Sequence, residues 1–524
     1  MKLMTPMQMR KIDELAVARY KIPSLLLMEQ ASYQVFKEIE VLDESLKEVI
    51  IVCGPGNNGG DGLSLARQLT VWSKRKVTVL MLAQEEKLSA DGRTYYEIAK
   101  NMNIALVHIS DEELEMAREY LKRADIIVDA IFGTGLSRNV EGLFAEIIST
   151  INEMEAVKIC VDIPSGIDGL TGKVQGVAVK ADCTITFAAL KRGLVLYPAI
   201  DYVGQLKVVP IGIPDELIGE TETKQFSLEK EEMKEILPKR FTRSNKGSYG
   251  RIIIIGGQSG MSGAVTLASQ AAISSGSGLV TAAVPEVIHD IMEVKLTEVM
   301  TIPLKSEEGH IAKEAISEIE ALIPNYNKIA IGPGIGRSEA AKKAVEAVLK
   351  SDKPCVIDAD GLYYLKDMLE IIKVRKAPTI LTPHPGEMAR LTGSTIEEIL
   401  EHPLEVASEF AQKNKVILVL KTERTVIADK DGDIYISRNG NNGMAKGGSG
   451  DVLTGIILGL WAQNIAPIDA AKLGVYIQSR AGDLLRQKKN EYSMLPSDIY
   501  IKGIDLVIEE FNLRNKYSLY EING

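Results

Sequence analysis

The string Asn441 to Trp461, NNGMAKGGSGDVLTGIILGLW, runs a Gly-rich turn straight into an apolar helix. At such a junction the N–H groups of Gly447 to Gly450 have no helical carbonyl to pair with, and Asp451 lies within reach of the point they surround. The amides suit a migrating phosphoryl group, and Asp451 suits removal of a proton from an attacking hydroxyl. The competing reading is an N-capping Asp451 on a buried helix, with the glycines there for close packing. Lys421 ends the apolar run VILVLK. A cation at a strand end suits a phosphate, against the alternative of a solvated lysine on an edge strand. His384 lies in TPHPGE, where a histidine between prolines is either a loop residue or a ligand contact.

A second constellation lies near the amino terminus. Cys53 to Leu69, CGPGNNGGDGLSLARQL, reads as a strand end, a Gly-rich turn and a helix start. Backbone amides and the helix dipole there favour an anion. The string has neither the GxGxxG spacing nor the Lys-Ser/Thr ending of a Walker loop. A tight strand-to-helix turn, with Asn57 and Asn58 as turn formers, is the plainer alternative. Asp61 among phosphate-facing amides points to a ribose or a bridging cation. DAIFGTGLSRN from Asp129 and VDIPSGIDG from Val161 repeat the pattern. An Asp on one strand, a Ser after another and an oxygen from the first loop would suit a desolvated monovalent cation. Helix capping by Ser165 explains that serine equally well. Lys191, in FAALKRG, would assist catalysis or bind phosphate, or be an ordinary solvated lysine.

These residues need rigid elements to hold them. Short β-branched runs start at Glu48, Lys76, Asp125, Lys158 and Cys183, with helix-like segments such as Gly62 to Ser73 and Asp111 to Arg123 between most of them. That alternation predicts a parallel sheet covered by helices, with ligands at the carboxyl ends of the strands. Three of the runs end in Gly-rich, Asp-bearing loops, which would then converge on one crevice. Pro210, Pro214 and the polar tract after Leu228 break the pattern, and a linker is expected between Glu220 and Gln225. A second α/β series follows, with runs at Arg251, Leu279, Lys328, Pro354, Thr379 and Val416. The expected domains are residues 1–222 and 223–524. The first is expected to be a Rossmann-like three-layer sandwich.

Composition bounds the partners. The 524 residues are 45% hydrophobic and 25% charged with a net charge of -10, which argues against charge-driven binding to nucleic acid or an anionic membrane. Cys53, Cys160, Cys183 and Cys355 form no CxxC pair and no metal spacing with the five histidines, as expected of a reduced cytoplasmic protein. The first twenty residues alternate charged and apolar positions, unlike a signal peptide. The long uncharged stretch Ile252 to Pro285 is studded with Gly and Ser and reads as buried strand, helix and strand, so no membrane span is expected.

From Met7 to about Gly212 the chain resembles the NAD(P)H-hydrate epimerase domain, with GNNGGDG its specific element. The resemblance implies substrate contacts at Asn57, Asn58, Gly59, Gly60 and Asp61, and at Gly133, Thr134, Gly135, Leu136, Ser137, Arg138 and Asn139. It implies potassium ligands at Asn58, Asp129 and Ser165, and a substrate-contacting acid/base at Asp162. Inverting the hydroxyl-bearing carbon beside the ring nitrogen needs a proton transfer that a carboxylate can supply. Asp162 has no evident partner in the sequence. From about Gln225 to Glu509 the glycine turn resembles that of the ribokinase-like superfamily. The ordered motifs GGQSGMSGAVTLASQAA, IGPGIG, DADGL, TPHPGE and GGSGDVLTG narrow the likeness to the NAD(P)H-hydrate dehydratase domain. Ser449 stands where the family more often has Thr, a small departure because the loop works through its backbone. This resemblance implies a ribokinase-like α/β fold, dinucleotide contacts at Ala264, Gly334, His384 and Asp451, and adenine-nucleotide contacts at Lys421, Thr422, Glu423, Arg424, Thr425 and Gly450. The implied activities are epimerisation of R and S hydrates (NADHX and NADPHX) and dehydration of the S form at the expense of ADP, giving AMP and phosphate. Magnesium on the donor phosphates and a homo-oligomer are further expectations. The rival readings are a vitamin-precursor kinase, which would use the same turn, and a noncatalytic amino-terminal binding module.

Overall fold

The β-branched runs form the centres of two sheets in the computed structural model, which describes residues 1–512. Residues 513–524, part of the expected second domain, lie outside the described residues. The chain divides into two units, Met1–Thr223 and Lys224 onward.

The first unit holds β1 (Leu3–Met4), β2 (Glu48–Cys53), β3 (Lys76–Met81), β4 (Ala105–His108), β5 (Ile126–Ala130), β6 (Val157–Val161), β7 (Cys183–Phe187), β8 (Leu190–Lys191) and β9 (Gln205–Val209). Seven form one parallel sheet in the order β4-β3-β2-β5-β6-β7-β9, and β1 pairs with β8. Successive side chains of β2 feed opposite cores, Val49, Ile51 and Cys53 on one face and Ile50 and Val52 on the other. Both faces are covered, the first by helices Pro6–Tyr20, Ser24–Glu40 and Asn57–Trp72, the second by Leu114–Lys122 and Leu143–Glu153. This is the expected three-layer sandwich. The carboxyl ends of β2, β5 and β6 are adjacent, so their three Gly- and Asp-bearing loops do meet at one edge.

The second unit holds β10 (Gln225–Ser227), β11 (Arg251–Ile255), β12 (Leu279–Pro285), β13 (Met300–Leu304), the small hairpin β14 (Ser306–Glu307) and β15 (His310–Ile311), β16 (Lys328–Ile331), β17 (Cys355–Ile357), β18 (Thr379–Leu381), β19 (Ile417–Leu420), β20 (Val426–Ala428) and β21 (Ile434–Ile436). Ten of these form one sheet, β10-β21-β20-β19-β18-β17-β16-β11-β12-β13, parallel from β19 to β13 and antiparallel through β19-β20-β21. Ile252 to Pro285 is strand, helix Ser262–Ser274 and strand, as read from the sequence. That helix packs against helix Ser449–Trp461 at backbone distance: a Cβ on Gly455 or Gly459 would fall 2.1 Å or 2.3 Å from the carbonyl oxygens of Ala268 and Ala272. No described helix is long and apolar enough to cross a membrane.

One expectation is corrected. The polar tract after Leu228 is not a break but helix Lys230–Ile236, which buries Met233 alone and so shows little apolar periodicity. The division between Thr223 and Lys224 falls within the stretch expected as a linker, where Lys2 Nζ donates to the carbonyls of Gly219 (2.6 Å) and Thr221 (2.9 Å) and Gln225 opens β10.

Candidate active sites

In the first unit, Asn57 to Gly62 form the opening turns of helix Asn57–Trp72, not a loop ahead of it. The glycines are first of all a packing device. A Cβ on Gly59 would fall 1.9 Å from the Gly54 carbonyl oxygen, and one on Gly62 would fall 2.7 Å from both Cys53 Sγ and Ala130 Cβ. Close packing and anion binding therefore coexist, because the same bare backbone brings the helix N-terminus down onto the strand ends. Asn57 is exposed at the rim, while Asn58, Gly59 and Gly60 are buried.

Asp129, on β5, is 1% exposed and Ser165 is fully buried. Ser165 does not cap a helix. Its hydroxyl donates to Asp129 Oδ1 at 2.5 Å and accepts from the Phe132 N–H at 2.8 Å, and its own N–H donates to Asp129 Oδ2 at 2.8 Å. Burial pushes the Asp129 carboxyl up, against those hydrogen bonds. Asn58 Oδ1 lies 3.4 Å from where a Cβ on Gly133 would sit, and the buried Asn58 Nδ2 has no partner. Thus the start of helix Asn57–Trp72 meets the Gly133 loop. Gly133, Thr134 and Leu136 are half-buried, whereas Gly135, Ser137, Arg138 and Asn139 form an exposed rim.

Asp162 follows β6 with φ 65°, an unusual conformation for a residue with a side chain. It is not partnerless, and Lys191 is not a solvated lysine. The Lys191 ammonium lies 2.6 Å from Asp162 Oδ1, with side chains 2% and 13% exposed. The same oxygen accepts from Thr186 Oγ1 (3.0 Å) and the Phe187 N–H (3.1 Å), and Lys191 also donates to the Phe187 carbonyl (2.8 Å). One carboxylate oxygen is fixed by three donors, which orients the other. Two more acids feel this pair. Burial and Asp162 push Asp61 well up, with Lys191 opposing. Burial pushes Asp13, from helix Pro6–Tyr20, up to about 6, again against Lys191. The pairing of Lys191 and the presence of Asp13 carried no sequence signal, since both arise from strands and helices that meet only in the fold.

In the second unit the sheet order brings the ends of β19, β18, β17 and β16 side by side. Helix Ser449–Trp461 starts after Gly448, whose φ of 101° suits glycine alone. The Ser449 amide is turned away, donating to the Lys446 carbonyl at 3.2 Å, so three of the four expected amides remain candidates for an anion. Lys421 is not on an edge strand and is not solvated: β19 lies between β18 and β20, and Lys421 Nζ sits 2.8 Å from Asp358 Oδ1. A Cβ on Gly450 would fall 3.1 Å from that ammonium. Burial works against the Lys421 charge, but Asp358 and Glu387 outweigh it and the amine is held above its ordinary value. Burial, with Asp358 and Glu387 adding to it against Lys421, pushes Asp451 up to about 7. An N-capping carboxylate would be stabilised in its charged form, whereas this one is held where it can exchange a proton near neutral pH.

His384 caps helix Pro385–Thr392: its Nδ1 accepts from the Gly386 N–H (3.0 Å) and the Glu387 N–H (3.3 Å). With Nδ1 accepting, the proton of the neutral ring belongs on Nε2, which lies 3.4 Å from Glu387 Oε1. Burial and Lys421 hold the ring below its usual value, and burial pushes Glu387 up to about 7. Gly334 has φ 63°, and a Cβ there would lie 3.2 Å from Ala264 Cβ, so these two expected contacts are neighbours. Leu267, one turn after Ala264, packs under Gly448. Thr422, Glu423, Arg424 and Thr425 form the turn between β19 and β20, with Thr422 Oγ1 donating to the Arg424 carbonyl at 2.6 Å. Asp358 and Glu387 were quoted within DADGL and TPHPGE but not singled out. Asp358 meets Lys421 across neighbouring elements and Glu387 acts on it through charge, neither of which spacing along the chain reveals.

Two α/β units, each with a carboxylate and glycine backbone at the strand ends, make this a two-domain α/β enzyme. Residues 252–503 match the family model described as NAD(P)H-hydrate dehydratase, and residues 24–193 match that described as YjeF-related protein N-terminus. The bifunctional NAD(P)H-hydrate repair enzyme Nnr of Moorella thermoacetica is 40% identical over 505 residues, covering 95% of each chain. The enzyme of the same name from Escherichia coli is 34% identical over 489 residues, covering 93% of this chain and 89% of that one. A solved structure of the ADP/ATP-dependent NAD(P)H-hydrate dehydratase from Bacillus subtilis, co-crystallised with ATP and magnesium, is 31% identical with a TM-score of 0.49, covering 55% of this chain and 98% of that one. The chain belongs to the family of bifunctional NAD(P)H-hydrate repair enzymes.

Proposed function

We propose that the first unit interconverts the R and S hydrates of NADH and NADPH, and that the second dehydrates the S form with ADP as phosphoryl donor. Asp451 takes the proton of the ring hydroxyl as its oxygen attacks the terminal phosphorus of ADP, and AMP leaves. The ring nitrogen then expels phosphate, and loss of the neighbouring ring proton restores the double bond. Phosphate departs far more readily than hydroxide. Lys421 and the amides around Gly450 balance the charge on the phosphoryl group. Ala264, Gly334 and the His384 ring line the dinucleotide, while Thr422, Glu423, Arg424 and Thr425 border the adenine nucleotide. The observation that carries this reading is the buried Lys421 ammonium lying against the bare backbone of Gly450, next to a carboxyl poised at about 7.

In the first unit the free oxygen of Asp162 moves the proton, with Lys191 orienting it and the 57–61 and 133–139 segments binding the dinucleotide. Potassium would be held by oxygens of Asn58, Asp129 and Ser165, with the buried Asp129 supplying the negative charge. It would anchor the phosphate-bearing loops. Magnesium suits the donor phosphates, which supply most of its oxygens with at most one or two protein carboxylates. No group of three or more His, Cys, Asp or Glu side chains placed to hold a metal exists among the described residues. We place the protein in a reducing cytoplasm, its four cysteines being free thiols, and expect a homo-oligomer.

The family membership favours repair over a vitamin-precursor kinase and over a scaffolding first unit. The decisive assay supplies a single hydrate epimer with ADP or ATP and identifies the products. Free phosphate with reduced dinucleotide supports repair; a stable phosphorylated dinucleotide refutes it.

A further inference from the structure

Resting on the phosphoryl-transfer reading of the second unit, we propose that Asp358 is its positioning residue: the carboxylate ties Lys421 to the helix that carries Gly450 and Asp451, so that the ammonium faces the transferred group. Asp358 follows β17 and is 1% exposed. Its Oδ1 accepts from Lys421 Nζ at 2.8 Å, and its Oδ2 accepts from Thr454 Oγ1 at 2.8 Å. Three elements thereby meet at one carboxylate: the end of β17, the end of β19 and the first turns of helix Ser449–Trp461. Thr454 lies one helical turn after Gly450, so both face the same way. The space that a Gly450 side chain would fill is taken by this arrangement, its Cβ position being 3.1 Å from Lys421 Nζ and 3.8 Å from Asp358 Oδ2. A lysine is a point charge on four rotatable bonds and holds no direction by itself. Asp358 supplies the direction, and Thr454 registers the helix against it.

The charges that face Asp451 come from every surrounding element: Asp358 after β17, Asp360 beside it, Lys421 after β19 and Glu387 from helix Pro385–Thr392. Asp358 raises Asp451 and Lys421 lowers it. Removing the Asp358 charge therefore has a signature that loosened packing lacks. In Asp358→Asn the turnover should fall by about tenfold or more, and the acidic limb of the dehydratase pH profile should move down by about one pH unit. Thr454→Val keeps every charge but loses one tether. Its turnover should fall about tenfold with the limb unmoved, and Thr454→Ser should restore it. The Thr454 pair also carries the test should Asp358→Asn fail to fold. A wild-type limb position in folded Asp358→Asn, or full turnover in Thr454→Val, overturns the proposal while leaving the phosphoryl-transfer reading intact. Absence of any acidic limb in the wild-type enzyme would instead overturn that reading.

Discussion

Acidifying the dehydratase should switch off its chemistry in a range where ordinary carboxylates are still ionised. Burial, helped by Asp358 and Glu387 against Lys421, lifts the Asp451 carboxyl from 3.8 to about 7. As the base it must be ionised, so the rate is present above this value and lost as pH falls through it. One unit is a factor of ten, which leaves about a tenth of the plateau rate near pH 6 and about a hundredth near pH 5. The readout is kcat/KM for the S hydrate at saturating donor, which reports the donor-bound enzyme before the hydrate binds. Donor affinity is followed by calorimetry at each pH to separate binding from chemistry. Asp451→Asn should show a residual rate with no limb and a donor affinity close to wild type. The same raised value has a stability cost of opposite sign: protonation stabilises the fold at low pH, and that contribution is lost as pH rises from 3.8 through about 7. Asp451→Asn should therefore melt higher than wild type near pH 8 and equally near pH 3. A wild-type rate that stays level down to about pH 5 would refute the assignment of Asp451 as the base.

Lys191→Met should slow hydrate epimerisation by roughly ten- to a hundredfold, the worth of one buried charge-assisted hydrogen bond to Asp162, while dehydration of pure S hydrate keeps its rate. Equal loss in both activities would count against a local role. Exchanging potassium for a bulky organic cation should abolish epimerisation and leave dehydration unchanged, and Asp129→Asn should reproduce the effect in potassium. Epimerisation that is indifferent to the cation would remove the proposed site. Gly59→Ala places a Cβ 1.9 Å from the Gly54 carbonyl oxygen. It should destabilise the first unit by about 3 kcal/mol, read as a lowered denaturant midpoint of that unit's transition.

The buried centres of both sheets were legible because runs such as VIIV and IIII are β-branched throughout, as strands covered on both faces require. Edges were not. Ala105–His108, Gln205–Val209 and Met300–Leu304 are partly exposed along most of their lengths, and Gln225–Ser227 is three residues long, so none stands out from neighbouring loops. The glycine turns showed where helix N-termini meet strand ends, but not that Gly59 and Gly62 are demanded by packing. Asp162 and Asp451 were readable from their strings. Their partners were not: Lys191, Asp13, Asp358 and Glu387 reach them across elements that only the fold brings together, and the sequence carries no distance between β17 and β19.

The account stands on one coupled experiment, incubating the purified chain with a mixture of R and S hydrates plus ADP and following the absorbance of the reduced nicotinamide. Wild-type protein should restore it fully, Asp162→Asn should stop once the S portion is consumed, and Asp451→Asn should restore almost none. Silence from the wild-type protein with both ADP and ATP, or complete restoration by Asp451→Asn, would contradict it.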